Sequence, residues 1–292
     1  MKKLLSVCIL ALGFAPPVHA DNVKIVAAEN FYGGVARQIA GSDASVKSIL
    51  TNPNQDPHEF TTDAGTAKAV ADADIVIYNG ISYDPWMDRL LGAKGKPDRV
   101  VINVADLIGA KDGDNPHIWY DPRTMPALAD KLGDVIAPRV PMLRDWVRMN
   151  VAAFKASMKP EVDKIAALKA ATCGMNVTAT EPVFGYMAGA LGFKMLNYDF
   201  QVQIMNDADP TADETAAFEK SLTSKTAKIL FYNSQVTDPT TDRIQKIAKD
   251  SGIPIVGVTE TQPPDQPTYV GWMMSELDAV EAAFGSSTSA PK

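Results

Sequence analysis

The sequence predicts an α/β protein of two lobes, each a parallel sheet flanked by helices, joined by a long rigid backbone helix. Three observations carry the prediction. Short β-branched runs alternate with amphipathic helical stretches, as in βαβ units. The alternation occurs twice, on either side of a region around residues 141–172 that has no strand signal. The chain has 292 residues, 46% of them hydrophobic and 22% charged, enough for a substantial core and one or two α/β domains, which excludes a mini-protein, a fibrous repeat or a disordered tail.

Residues 1–20 read as a secretory signal. Lys2 and Lys3 supply its positive end, Leu4 to Phe14 its apolar stretch, and Val18-His19-Ala20 a small-residue cleavage site before Asp21. A lipoprotein reading of Leu5-Ser6-Val7-Cys8 would leave the charged and apolar regions before Cys8 too short. No later segment approaches about 20 uninterrupted apolar residues, so the expected mature chain is a soluble periplasmic protein. Cleavage would leave one cysteine, Cys173, and two histidines, His58 and His117. Cys173 lies beside the strand expected at Val177 and is expected to be a small buried hydrophobe without a disulfide partner.

Strands are expected at Val23 to Ala28, Ser45 to Leu50, Asp74 to Tyr78 and Arg99 to Val104 in the N-terminal lobe (21–140), and at Asn176 to Ala179, Ala227 to Tyr232 and Ile253 to Val258 in the C-terminal lobe (173–292). Helices fall between them. Tyr32 to Ala40 ends at Gly41, Thr211 opens a helix with Glu214 completing a capping box, and Asp238-Pro239 starts another that stops at Gly252. Between the lobes, Leu143, Val147, Val151, Phe154, Met158, Val162, Ile165 and Leu168 recur at intervals of three or four. The spacing predicts one helix over 141–170 within a linking segment 141–172. Pro160 removes a backbone donor from it, so a kink or a break into two helices is expected there.

The chain carries 28 Lys and Arg against 35 Asp and Glu, a net charge of −7, with no long basic run, so nucleic acid is not an expected partner. Chemistry gathers in four loops that follow strands, where open α/β sheets bind ligands. They are Asn54-Gln55-Asp56-Pro57-His58-Glu59, Asn115-Pro116-His117-Ile118-Trp119-Tyr120-Asp121-Pro122, Thr180-Glu181-Pro182-Val183-Phe184-Gly185-Tyr186-Met187 and Val258-Thr259-Glu260-Thr261. Both histidines retained after cleavage therefore sit in loops, each directly after a proline. Glu181 could instead cap the helix after it. Asp265 is a further acidic candidate, and Asp84 and Asp121 read as turn or cap residues.

Asp56-Pro57-His58, the segment Asn115 to Pro122, the segment Glu181 to Phe193 and the run Ile253 to Glu260 together resemble the zinc/manganese-type (cluster A-I) solute-binding proteins of bacterial metal ABC importers. The likeness spans nearly the whole mature chain, and its second-histidine motif, with a Trp-x-Asp-Pro tail, is specific. It implies two α/β lobes joined by a rigid helix, a metal ion held between them, an ABC permease as partner, a metal chaperone as a second one, and a monomeric chain. Carried over by motif, the ligands would be His58, His117, Glu181 and Glu260. The third position is His in many zinc importers and Glu in many manganese or iron importers. The fourth is commonly Asp, so Glu260 departs from the pattern and Asp265 is its substitute.

Two imidazoles and two carboxylates would offset a divalent charge and allow coordination above four, which suits Mn²⁺ or Fe²⁺ better than a tetrahedral site. Zn²⁺ would still bind, because its affinity for such donors exceeds that of Mn²⁺. The chain also lacks the His-rich loop of many zinc-importing relatives. A periplasmic metal-dependent hydrolase is the alternative, since such a site can activate water. Against it, there is no His-Glu-x-x-His helix, and every candidate base is already needed as a ligand.

Overall fold

The computed structural model describes residues 22–53, 55, 60–236 and 239–288; the signal segment, His58 and Asp238 lie outside the described residues. Strands β1 (Val23–Glu29), β2 (Ala44–Leu50), β3 (Ile75–Tyr78) and β4 (Val100–Asn103) form a parallel sheet in the order β2-β1-β3-β4. A second parallel sheet contains β5 (Asn176–Ala179), β6 (Lys194–Leu196), β7 (Leu230–Asn233) and β8 (Ile255–Val258) in the equivalent order β6-β5-β7-β8. Strand runs such as Ile75-Val76-Ile77 are buried throughout, as expected of a sheet covered on both faces. Seven of the eight strands fall where the sequence places them. The exception, β6, is a three-residue edge strand with no β-branched residue, held by pairing Asn176 with Lys194 and Thr178 with Leu196.

The helix after β1, Asn30–Ala40, stops at Gly41, whose φ of 65° lies in the left-handed region. A β-carbon at Gly41 would also meet the tip of the Trp146 ring, which would have to shift. Thr211 and Glu214 form the expected capping box of Ala212–Thr223, with Glu214 N–H donating to Thr211 Oγ1 (3.2 Å) and Thr211 N–H to Glu214 Oε2 (2.7 Å).

The linking segment is a 3-10 turn (Pro141–Leu143) followed by two helices in tandem, Arg144–Ser157 and Lys159–Thr172. They meet at Met158, whose backbone stays helical (φ −78°, ψ −7°). The physical cause is Pro160: lacking an N–H, it leaves the carbonyl of Ala156 without its helical donor, and Met158 N–H bonds three residues back to Lys155 O (3.3 Å). The break therefore falls two residues before the proline, which takes an N-terminal position of the second helix, where a missing donor costs nothing.

One apolar cluster draws on both lobes. Phe31 packs on Trp119 (ring centroids 5.0 Å) and Trp272 (5.7 Å), Tyr120 on Trp272 (5.7 Å) and Phe184 (5.2 Å), and Phe184 stacks on Phe231 (4.8 Å). No helix among the described residues is long and apolar enough to cross a membrane. Cys173 corrects the expectation above: it is exposed, because it caps the helix Lys159–Thr172 and precedes the Gly174 turn, outside the strand.

Candidate metal centre

The carboxyl ends of the strands present the candidate side chains. His117 opens the 3-10 turn Ile118–Tyr120 and is fully buried. Asn115 holds it from behind: Asn115 Oδ1 is 2.7 Å from His117 Nδ1 and accepts the His117 backbone N–H (3.1 Å). The other end of that amide lies 2.7 Å from the carbonyl of Pro182, which can only accept, so it is the NH₂ end. Asn115 Oδ1 therefore faces the imidazole, His117 carries its hydrogen on Nδ1, and Nε2 presents a lone pair. Burial pushes the imidazole down to about 3, so it is neutral at working pH.

Nε2 lies 3.0 Å from Glu260 Oε1. With Glu260 ionised, two acceptors would face each other at hydrogen-bond distance, an arrangement that a cation satisfies. Glu260 is buried and comes from the turn after β8. Its backbone N–H and that of Thr261 both donate to Gln235 Oε1 (2.8 and 2.9 Å), so Gln235 fixes the turn. Asp265, by contrast, is exposed in the next loop.

Glu181 follows β5 and is buried, and its side chain makes no capping hydrogen bond to the turn Pro182–Phe184 that it precedes. Asn115 ties Pro182 to the loop of His117, and Tyr186 OH donates to Asn115 O (2.9 Å), so the segments bearing Glu181 and His117 adjoin. Among the described residues, no three His, Cys, Asp or Glu side chains converge closely enough to hold an ion together. The structure joins His117 to Glu260, sets Glu181 in the adjoining turn, and says nothing of His58.

Asp121 is the expected turn residue, accepting from Arg123 N–H (2.9 Å) and pairing with its guanidinium (2.6 Å). Asp84 accepts from the backbone N–H groups of Asn79 and Gly80 (2.8 and 2.9 Å) but does not cap its own helix. Its buried carboxyl is pushed up to about 6 by burial, and Glu29, wholly buried at the end of β1, is raised well above its ordinary value by burial and by the charge of Asp84. Tyr83, beside His117 (ring centroids 6.0 Å), feels the charges of Glu260, Glu29 and Asp84. Sequence reasoning missed the roles of Asn115 and Gln235, which hold His117 and the Glu260 turn. Only Asn115 carried a signal, as a side-chain amide two residues before a histidine.

Residues 25–283 match the family model described as zinc-uptake complex component A, periplasmic. The chain is 24% identical over 278 residues to the metal ABC transporter substrate-binding lipoprotein SloC of Streptococcus mutans, covering 87% of this chain and 88% of that one. It is 25% identical over 254 residues to the iron ABC transporter substrate-binding lipoprotein MtsA of Streptococcus pyogenes, covering 81% and 79%. Among solved structures, the periplasmic zinc-binding protein TroA of Treponema pallidum has the same fold, with a TM-score of 0.75 at 17% identity over 90% of this chain and 99% of that one. A match over residues 25–283, with both sheets in the expected arrangement, establishes that the chain belongs to the periplasmic zinc-uptake component A family.

Proposed function

We propose that the chain is the extracytoplasmic solute-binding protein of a metal ABC importer, capturing one divalent transition metal between its lobes (21–140 and 173–292) and delivering it to a membrane permease. The observation that carries this is the 3.0 Å approach of the His117 Nε2 lone pair to Glu260 Oε1, two acceptors from opposite lobes. His117 and Glu260 are ligands in this reading, with Glu181 and His58 completing the set on their motifs. The burial of Glu260 and the exposure of Asp265 support Glu260 as the fourth ligand.

Mn²⁺ or Fe²⁺ is the proposed cargo, because two carboxylates permit coordination above four, with Zn²⁺ a competent competitor. One relative is named for iron and one structural neighbour for zinc, so the family accommodates more than one metal. The protein works as a periplasmic monomer after cleavage of its signal, and a metal chaperone is a further candidate partner. No observation favours the hydrolase alternative, and the family is one of substrate-binding transport proteins.

Titration calorimetry on chelator-treated protein tests the reading. One Mn²⁺ or Zn²⁺ should bind per chain, His117→Ala and Glu260→Gln should each weaken binding by at least about 100-fold, since even an outer-shell partner is worth about 10- to 100-fold, and Asp265→Asn should bind normally. Normal binding by Glu260→Gln with loss in Asp265→Asn would move the fourth ligand.

A further inference from the structure

Behind the two facing acceptors lies a second polar array that the ligand set does not use. Glu276, on the helix Tyr269–Thr288, is buried, and its two oxygens serve different loops. Oε1 accepts from Thr259 N–H (3.1 Å), Thr259 Oγ1 (3.2 Å) and Trp272 Nε1 (2.9 Å). Oε2 lies 2.6 Å from Tyr120 Oη, and Tyr120 Oη lies 2.8 Å from Thr259 O. Tyr120 closes the 3-10 turn opened by His117, and Thr259 directly precedes Glu260. One carboxyl thus grips both turns that bear the facing pair.

The hydrogens in this array can be counted. Thr259 O is a carbonyl and only accepts, and a tyrosine hydroxyl has one hydrogen to donate. Made as two full bonds and not as one shared hydrogen, the contacts Thr259 O···Tyr120 Oη and Tyr120 Oη···Glu276 Oε2 need two hydrogens, and an ionised carboxylate supplies none. A carboxylic acid supplies the second.

We propose that Glu276 is a positioning residue for ion retention: its carboxyl carries a proton on Oε2 and donates it to Tyr120 Oη, which donates to Thr259 O, stitching the His117 turn to the Glu260 turn. This rests on the reading of that pair as metal ligands. Burial outweighs the hydrogen bonds to Tyr120, Trp272 and Thr259 and pushes Glu276 up to about 7, in keeping with a proton held there. The titratable groups facing this region are Tyr120, Tyr269 on the same helix, and, around Tyr269, Glu161 of helix Lys159–Thr172 and Asp121. Lys164 of that helix is engaged on the outer flank by Asp278 and Glu281, and helix Asn30–Ala40 meets the array through the Phe31 ring on Trp272. When Glu276 ionises, one of the two short contacts of Tyr120 loses its hydrogen, and the two turns are free to part.

The experiment follows dissociation of Zn²⁺ into excess chelator by stopped flow between pH 6.5 and 8.5. The wild-type rate should rise several-fold across this window. Glu276→Gln, whose NH₂ replaces the acid O–H, should stay slow and flat. Tyr120→Phe should be fast at both ends and equally flat. A flat wild-type profile, or Glu276→Gln tracking the wild type, would overturn the proposal. If the wild type binds no Zn²⁺, the ligand reading fails on its own, and the stitch is then read in the metal-free protein by hydrogen exchange of the Tyr120 amide, which closes the His117 turn without bonding to Glu276. Protection, corrected for intrinsic exchange, should fall over the same window in the wild type and not in Glu276→Gln; identical profiles would defeat the stitch.

Discussion

At the scale of single residues, the centre depends on which atoms are denied hydrogens. Asn115 commits the one N–H of His117 to its own side chain, leaving Nε2 to face Glu260 as an acceptor. Glu181 stands in the turn tied to Asn115 and is not spent on capping that turn. Its carboxylate is therefore the proposed selectivity position. Glu181→His would give three nitrogens and one carboxylate, a set suited to compact tetrahedral Zn²⁺. The ratio of Zn²⁺ to Mn²⁺ affinity should rise about tenfold, measured by competition titration, and an unchanged ratio would remove the reason for preferring manganese or iron. The histidine motif and the strand-end glutamates were legible in sequence because few other residue types could explain them in loops. Glu276 was not, since a glutamate in an amphipathic helix is ordinarily solvated and only the fold turns it inward. Cys173 misled for the opposite reason: it caps a helix end, and the Gly174 turn separates it from the strand that was expected to bury it.

Among the elements, the broken linking helix is the informative one. Heptad-like spacing made the segment legible as helix, and Pro160 made an interruption legible, but its place at Met158 depends on which carbonyl loses its donor. Glu161, next to that proline, is wholly buried, its oxygens have no hydrogen-bond partner among the described residues, and burial alone pushes it up to about 7. The sign follows from linkage. An acid whose folded value is raised binds a proton that the unfolded chain has released, so stability falls as pH rises from the ordinary value of 4.5 towards about 7, and levels off above it. The loss is about 1.4 kcal/mol per pH unit, hence on the order of 3 kcal/mol by pH 8. Glu161→Met removes it, so calorimetry should find a larger gain in Tm at pH 8 than at pH 5, where most of the loss has yet to accrue. Equal gains would show that the carboxyl titrates normally.

On the scale of the whole molecule, metal capture should respond to acid with the stoichiometry of one histidine. Burial keeps His117 neutral down to about pH 3. His58, taken at the ordinary histidine value of about 6.5, is then the imidazole that protons contest. Affinity should weaken about tenfold per pH unit between about 6 and 5, so log Kd against pH should have a slope near one. A slope near two would mean that His117 titrates as well, and a flat profile would contradict histidine ligation. The repeated βαβ pattern made both lobes legible, since each strand run is short and bounded by turn residues. What the sequence left open is how the lobes meet, because aromatic contacts such as Phe31 with Trp272 join residues far apart in the chain.

That aromatic seam also makes the molecule optically self-reporting. Trp119 stands edge-on to His117, with ring centroids 5.2 Å apart, and Trp272 donates its indole N–H to Thr259 and Glu276 beside the facing turn. Trp86 packs on Phe60 in a separate core cluster, and Trp146 lies at the protein surface over Gly41. Two indoles therefore border the turns of the proposed ligands and two lie elsewhere, so charge entering or leaving between the lobes should perturb the emission of the first pair against a steady background from the second.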